Sequence, residues 1–270
     1  MMSRLLCSPT LQRLYAPLRR MPLVGEIAHG LVGKLLPQGT RVPVRVRAGA
    51  GAGLLLSVDP RYESLYAAGD YEEPLLNVLA AHLGRGDVLY DVGAHIGFVS
   101  LVAARVVGPA GAVYAFEADE DNAKRIAEHK EMNSLPQLEV VPAAAWSERT
   151  KLSFRRSPDA SSRNTGSVAG ISASEGALGT SVVDAVTLDE FARAHRAANV
   201  VKIDVEGAEE EVLAGSETVL RTSRPALICE IHNARAAEAV ANRLAACGYA
   251  WNWLDDADRF PRHLVAEARR

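Results

Sequence analysis

The stretch from Gly86 to Glu117, GDVLYDVGAHIGFVSLVAARVVGPAGAVYAFE, constrains the fold more than any other part of the chain. Val88, Leu89 and Tyr90 form an apolar run too short for a helix, and Asp91 ends it where parallel sheets place functional side chains. Gly93 and Gly97 bracket a tight turn. Without Cβ atoms there, the backbone approaches a ligand closely, and the N–H groups at the start of the next helix open onto the same space. Gly93, Ala94, His95 and Gly97 are therefore candidate cofactor contacts. Ile96, Val99, Leu101, Val102 and Ala104 give the helix a wide apolar stripe, ended by Gly108 and Pro109. Ala112 to Phe116 is the second strand. Glu117 closes it about 20 residues after the turn, where a nucleotide-binding βαβ unit needs an acid for two ribose hydroxyls.

The residue in place of the first fingerprint glycine selects the ligand. The dinucleotide pattern G-x-G-x-x-G leaves that position bare beneath a pyrophosphate, whereas DVGAHIG has Asp91 there and Ile96 where the third glycine falls. An anion disfavours a diphosphate. It favours the α-ammonium and sulfonium of S-adenosylmethionine by charge complementarity. DVGAHIG, the acid of AFEAD and KIDVEGAE together resemble the FkbM-type family of S-adenosylmethionine-dependent methyltransferases, roughly from Tyr71 to Glu230. One departure is His95, where such proteins usually have Asn. The resemblance implies a Rossmann-like class I α/β fold: a seven-stranded, mostly parallel sheet with helices on both faces. It also implies a hydroxyl acceptor on a sugar or other small natural product.

At 270 residues, the simplest organisation is an N-terminal helical and hairpin extension, residues 1–70, before a cofactor-binding domain, residues 71–270. A net charge of -3 gives no basis for a nucleic-acid partner. Cys7, Cys229 and Cys247 form neither a disulfide framework nor a zinc pattern, so a reducing cytoplasm is the expected setting. The leader, residues 1–36, is basic and partly amphipathic. It lacks the ~18 to 20 apolar residues of a membrane span. Its alternatives are a surface helix against anionic lipid or a partner protein, or short helices serving as a lid or a homo-oligomer contact, the commoner arrangement.

Val42, Val44 and Val46 alternate with polar residues and pair with Leu54 to Val58 as a hairpin. Tyr71 and Glu72 precede a helix from about Pro74 to Leu83. A Tyr-Glu pair stands here in the resembled family and implies a cofactor contact, with helix capping as the alternative for the glutamate. Asp119 to Asn133 reads as a helix, and Leu138 to Val141 as a third strand. Ala144 and Ala145 follow, where the resemblance puts the adenine contact. Lys151 to Thr180 is rich in Ser, Gly and Ala and shows no strand or helix period. It reads as a substrate lid, with disorder as the rival.

VVKID, residues 200 to 204, is the fourth parallel strand, and Asp204 ends it as Asp91 ends the first. Glu209, Glu210 and Glu211 follow in a helix's first turn, where carboxylates serve the helix dipole. ALICEI is the fifth strand and leads to Glu230, His232 and Asn233. For methyl transfer to a hydroxyl, His232 is the first candidate base and Asp204 the second. A Mg²⁺ ion held by acids at the ends of the fourth and fifth strands, as in some small-molecule O-methyltransferases, is the competing route to activation. Asp204, Glu230 and Asn233 occupy comparable positions. A non-catalytic protein-binding module on this fold, and a nicotinamide-dependent oxidoreductase, are the alternative functions.

Overall fold

The computed structural model describes residues 39–69, 71–156, 166–168, 180–255 and 258–269. The leader, residues 1–36, and most of the Ser/Gly-rich segment lie outside the described residues. The chain separates into two compact units, Met1–Tyr71 and Glu72–Arg270.

In the N-terminal unit, β1 (Val42–Arg45) and β2 (Leu55–Val58) pair antiparallel, with Val44 opposite Leu56. Alternation buries Val42, Leu56 and Val58. A short helix, α1 (Ser64–Ala68), follows, and the Ala67 carbonyl accepts from Arg47 N at 3.2 Å. Between strand and helix, the buried Asp59 carboxylate accepts from both the backbone and the guanidinium of Arg61.

The C-terminal unit begins with α2 (Glu73–His82), β3 (Val88–Val92), α3 (Phe98–Val107), β4 (Ala112–Phe116), α4 (Glu120–Asn133) and β5 (Leu138–Val141). It continues with β6 (Ala144–Ala145), β7 (Thr150–Arg156), β8 (Gly166–Val168), β9 (Thr180–Val186), α5 (Leu188–Ala194) and β10 (Val200–Ile203). Last come α6 (Glu209–Ala214), α7 (Glu217–Thr222), β11 (Ala226–Ile231), α8 (Ala234–Ala246), β12 (Tyr249–Trp253) and β13 (Arg262–Ala268). Side chains cap three of these helices. Asp119 accepts from Asp121 N and Asn122 N, Thr187 from Glu190 N, and Asn233 from Ala236 N. Each such cap stabilises its helix by ~1 kcal/mol.

The main sheet has the order β12-β13-β11-β10-β3-β4-β5. Strands β11, β10, β3, β4 and β5 are parallel, and β13 runs antiparallel to both β11 and β12. This is the Rossmann-like, seven-stranded, mostly parallel sheet. From β3 the chain moves outward to β4 and β5, then returns to β10 on β3's other side. The order therefore reverses between β3 and β10, and the crevice at their carboxyl ends is where such sheets bind ligands.

Register divides the sheet into two chemically different faces. Tyr90 pairs with Tyr114, Val92 with Phe116, and Cys229 with Leu264. This face forms one continuous apolar core with Val201, Ile203, Leu227 and α8 residues Val240 and Leu244. On the other face Lys202 lies opposite Asp91 on one side and Ile228 on the other, while Glu230 lies opposite His263. Charge thus crosses four adjacent strands near the carboxyl edge of the three parallel ones, β3, β10 and β11.

A second sheet, β6-β9-β7-β8, replaces part of the segment read as lacking a strand period. β7 pairs antiparallel with β9 over Thr150 to Arg155, burying Leu152 and Phe154 while Lys151 and Arg155 face solvent. The alternation is present in KLSFRR, but the Ser/Gly composition that follows obscures it. Residues 157–165 and 169–179, the rest of the expected lid, lie outside the described residues.

Candidate active site

The turn after β3 is held by backbone. Gly93 N and Ala94 N both donate to Phe116 O at 3.0 Å, tying the turn to the end of β4. Gly93 has φ +75°, and a Cβ there would lie 1.7 Å from the Asp204 carbonyl oxygen. This position requires glycine on both counts. Gly97, at φ +84°, starts α3 against the Ile126 side chain. His95 between them has φ +53°. A left-handed backbone is most readily adopted by Gly, and among residues with side chains His is one of the few enriched there. Its N–H donates to Glu117 Oε2 at 2.7 Å, and Asp119 N donates to Oε1 at 2.8 Å. Burial pushes the Glu117 carboxyl up to about 8, against these two donors, which favour its charged form.

Asp91 is fully buried, and its charge is matched within the protein. Ser100 Oγ donates to Oδ2 at 2.5 Å, and Lys202 Nζ stands 3.3 Å from Oδ1. Lys202 is itself 4% exposed, donates to Gly93 O at 2.8 Å and lies 3.5 Å from Asp204 Oδ2. Burial opposes its charge, yet Asp91, Asp204 and Glu72 outweigh that penalty and raise its pKa. One ammonium thus links the ends of β3 and β10 with the glycine turn. The sequence reading placed both aspartates correctly at strand ends but passed over the lysine between them.

Asp204 N donates to Val92 O, which fixes the start of the next turn. Burial raises the Asp204 pKa, but the charges of Lys202 and His232 prevail and lower it overall. Its neighbour Glu230 shows the opposite outcome. Burial and the Asp204 charge push Glu230 up to about 7. His232, just beyond β11, has Nδ1 2.6 Å from Glu209 Oε1 and Nε2 3.8 Å from Asp204 and 3.5 Å from Glu206. Burial disfavours the imidazolium, but these three carboxylates raise His232 to about 9. His263 on β13 completes the row, with Nε2 3.3 Å from Glu72 and 3.9 Å from Glu230.

The structure therefore gathers Asp91, Asp204, His232 and Glu72 into one charged network with Lys202, Glu209, Glu230 and His263. Glu117 joins the glycine turn through His95. Ala144 and Ala145 form β6, with Ala144 buried against Leu152 and Ala185, and Ala145 in the main core. Tyr71 belongs to the N-terminal unit, where its ring lies 4.2 Å from that of Tyr66. Three of the five non-glycine residues with positive φ among the described residues, Glu72, His95 and Glu206, fall among these site residues. Such strain concentrates at functional sites.

Residues 91–250 match the family model described as the methyltransferase FkbM domain, which takes in more than half of the chain. The chain belongs to the FkbM methyltransferase family. The hexuronic acid methyltransferase AglP of Haloferax volcanii is 31% identical over 163 residues, covering 60% of this chain and 62% of that one. Methyltransferase FkbM from Methylobacillus flagellatus superposes with a TM-score of 0.49 at 17% identity, over 67% of this chain and 43% of that one. The TYW2 protein of M. jannaschii, solved with AdoMet, gives 0.49 at 15% identity, over 86% and 87%. The chain thus spans under two thirds of the length of the first two. No helix among the described residues is long and apolar enough to cross a membrane.

Within this FkbM domain, two residues that matter to the network had no distinctive signal in sequence. Lys202 sits in a strand reading VVKID, and alternation puts it on the same face as Asp204, the only available hint. Glu209 reads as one of three first-turn acids. It is fully buried, whereas Glu210 and Glu211 retain exposure.

Proposed function

We propose that this protein transfers a methyl group from S-adenosylmethionine to a hydroxyl of a sugar or another small-molecule natural product. One observation carries the reading. At the crevice where strand order reverses, the carboxyl groups of Asp91, Asp204, Glu206, Glu209, Glu230 and Glu72 outnumber the cations Lys202, His232 and His263. The raised pKa of Glu230 expresses that surplus, since burial and the neighbouring Asp204 leave it short of a compensating positive charge. A sulfonium and an ammonium supply such charge; a pyrophosphate does not.

The residues around the turn fit such a donor. Glu117, at the end of β4 and held by two N–H groups, is suited to accept from ribose hydroxyls. Gly93 and Gly97 keep the turn bare. Asp91 works from beneath the surface, through Lys202 and Ser100, rather than as the exposed anion implied by sequence. When bound, the donor would supply an activated methyl group. The chain's own task is then to orient the acceptor hydroxyl and remove its proton. His232 Nε2 is the group we assign to that removal, with Asp204 beside it. An imidazole that titrates near 9 alone becomes a free base at lower pH once a further cation occupies the cluster.

Mg²⁺ fits less well. Asp204, Glu230 and His232, and likewise Glu72, Glu230 and His263, bring three donor atoms within 4.8 Å of one another. Each trio includes an imidazole whose carboxylate neighbours favour its protonated form, and Mg²⁺ prefers oxygen ligands. Asn233 Oδ1 is already engaged as the cap of α8.

The name of the hexuronic acid methyltransferase supports a sugar acceptor. The test is calorimetric titration with S-adenosylmethionine, S-adenosylhomocysteine and NAD. Incubation with labelled donor and a panel of uronic acids, neutral sugars and polyols follows, with mass spectrometry for an added CH₂. Binding of NAD in place of the sulfonium ligand would overturn the reading. Binding without transfer to any hydroxyl would favour the non-catalytic module.

A further inference from the structure

We propose that Glu209 is a positioning residue, whose buried carboxylate grips His232 through Nδ1 and so makes Nε2 the nitrogen that exchanges the acceptor's proton. The role assigned to Nε2 rests on the methyl-transfer reading above; the grip itself does not.

A first-turn acid serves the helix dipole equally well from the solvent, as its partly exposed neighbours Glu210 and Glu211 show. Glu209 instead has 0% exposure. Its Oε1 accepts from Gly207 N at 3.0 Å and lies 2.6 Å from His232 Nδ1. Its Oε2 is buried without a hydrogen-bond partner among the described residues. Burying a carboxylate with one oxygen unsatisfied is unfavourable, and a rotamer facing water would avoid that cost. In the turn before it Glu206 has φ +54°, an uncommon backbone for a residue with a side chain. That unfavourable burial holds Oε1 against the Nδ1 side of His232.

The consequence concerns the tautomer. A ring whose Nδ1–H is held by a carboxylate loses its proton from Nε2 when it becomes neutral. Nε2 is the atom that faces Asp204 and Glu206 at the carboxyl edge. Around the ring stand Glu209 from α6, Asp204 and Glu206 from the turn, and Glu230 from β11. Only Glu209 contacts Nδ1 among the described residues, so it alone selects the nitrogen.

The experiment is a pH titration of the whole protein with ¹⁵N-labelled histidine, read by long-range ¹H–¹⁵N NMR, with and without S-adenosylhomocysteine. His232→Gln assigns the signal. In the wild type, the His232 ring should titrate near 9 and its neutral form should carry the proton on Nδ1 alone. In Glu209→Gln, which keeps the size but not the charge, the midpoint should fall by about one pH unit or more, a tenfold loss of proton affinity. The neutral form should become a mixture of tautomers. Glu209→Asp should recover part of the midpoint shift. A neutral wild-type ring protonated on Nε2, or an unchanged midpoint in Glu209→Gln, overturns the proposal. The wild-type tautomer decides the matter even if Glu209→Gln does not fold. Failure of the wild type to bind S-adenosylhomocysteine would count against the donor reading and leaves the tautomer result to stand by itself.

Discussion

Replacing Lys202 with Met removes a buried charge while keeping a similar volume. Asp91, with 0% exposure, would lose the Nζ at 3.3 Å and, among the described residues, keep Ser100 Oγ as the partner of its charge. Gly93 O would lose its 2.8 Å donor. Breaking one side of a buried pair costs about 3 to 5 kcal/mol, because the remaining ion is left without compensation. Asp204 adds less, since its side chain is 23% exposed and water screens it. For a unit of this size, ~2 to 4 °C is lost per kcal/mol, so Lys202→Met should melt about 6 to 20 °C below wild type. The assay is urea and thermal unfolding followed by tryptophan fluorescence. All three tryptophans, Trp146, Trp251 and Trp253, lie in the C-terminal unit, so the signal reports that unit. The double variant Asp91→Asn with Lys202→Met removes both charges and should recover at least half of the loss. A single variant within ~1 kcal/mol of wild type, or a double variant no more stable than the single, would refute the account of this network.

Three other outcomes are expected. Gly93→Ala, whose Cβ would meet the Asp204 carbonyl at 1.7 Å, should abolish S-adenosylhomocysteine binding. Gly86→Ala, at φ +89° with open space around it, should cost only ~1 to 2 kcal/mol of backbone strain and spare binding; equal effects would sink the steric explanation. A cation bound in the cluster should displace protons from Glu230 and His232, which titrate near 7 and 9. Calorimetric affinity for S-adenosylmethionine should therefore rise from pH 6 to 9, more steeply than that for S-adenosylhomocysteine, which lacks the sulfonium charge, and parallel curves would argue against a sulfonium near these groups. The folded pKa of His232 exceeds its ordinary 6.5, so its stabilisation is complete below 6.5 and lost as pH rises through about 9. Glu230 and Glu117, raised from 4.5 to about 7 and 8, act with the same sign as pH rises. Unfolding free energy should fall between pH 6.5 and 9, and His232→Gln should flatten that fall; an unaltered slope would dissociate His232 from it.

The parts of the site that followed from sequence are those set by local backbone. A glycine turn between an apolar run and an amphipathic helix has one common solution, and Asp91 and Asp204 end parallel strands whichever partners those strands choose. Strand order and register do not follow from such patterns. They bring Lys202 opposite Asp91, and His263 opposite Glu230, from positions distant in the chain. Likewise, a first-turn glutamate satisfies the helix rule whether it points to water or to the interior, so EGAEEE does not distinguish Glu209 from its neighbours. The alternation that marks β7 was present but short, and it adjoined a long stretch of small polar residues.

Register also changes what Asp91 does. Read from sequence, it is an anion facing a cationic ligand. In the structure its charge is matched by Lys202, whose ammonium also meets Asp204 and the turn carbonyl of Gly93. The surplus negative charge then falls on Asp204, Glu230 and Glu206, at the ends of β10 and β11, rather than on β3. Burial raises Glu230 to about 7 and Glu206 above its ordinary range, and the Asp204 charge adds to both shifts. A donor cation drawn to that surplus would lie toward His232, and its arrival would lower the pKa of that imidazole. On the proposed reading, binding the cation and freeing a base would be one electrostatic event, with Lys202 beside Asp91 and Glu209 beside His232 as its fixed supports.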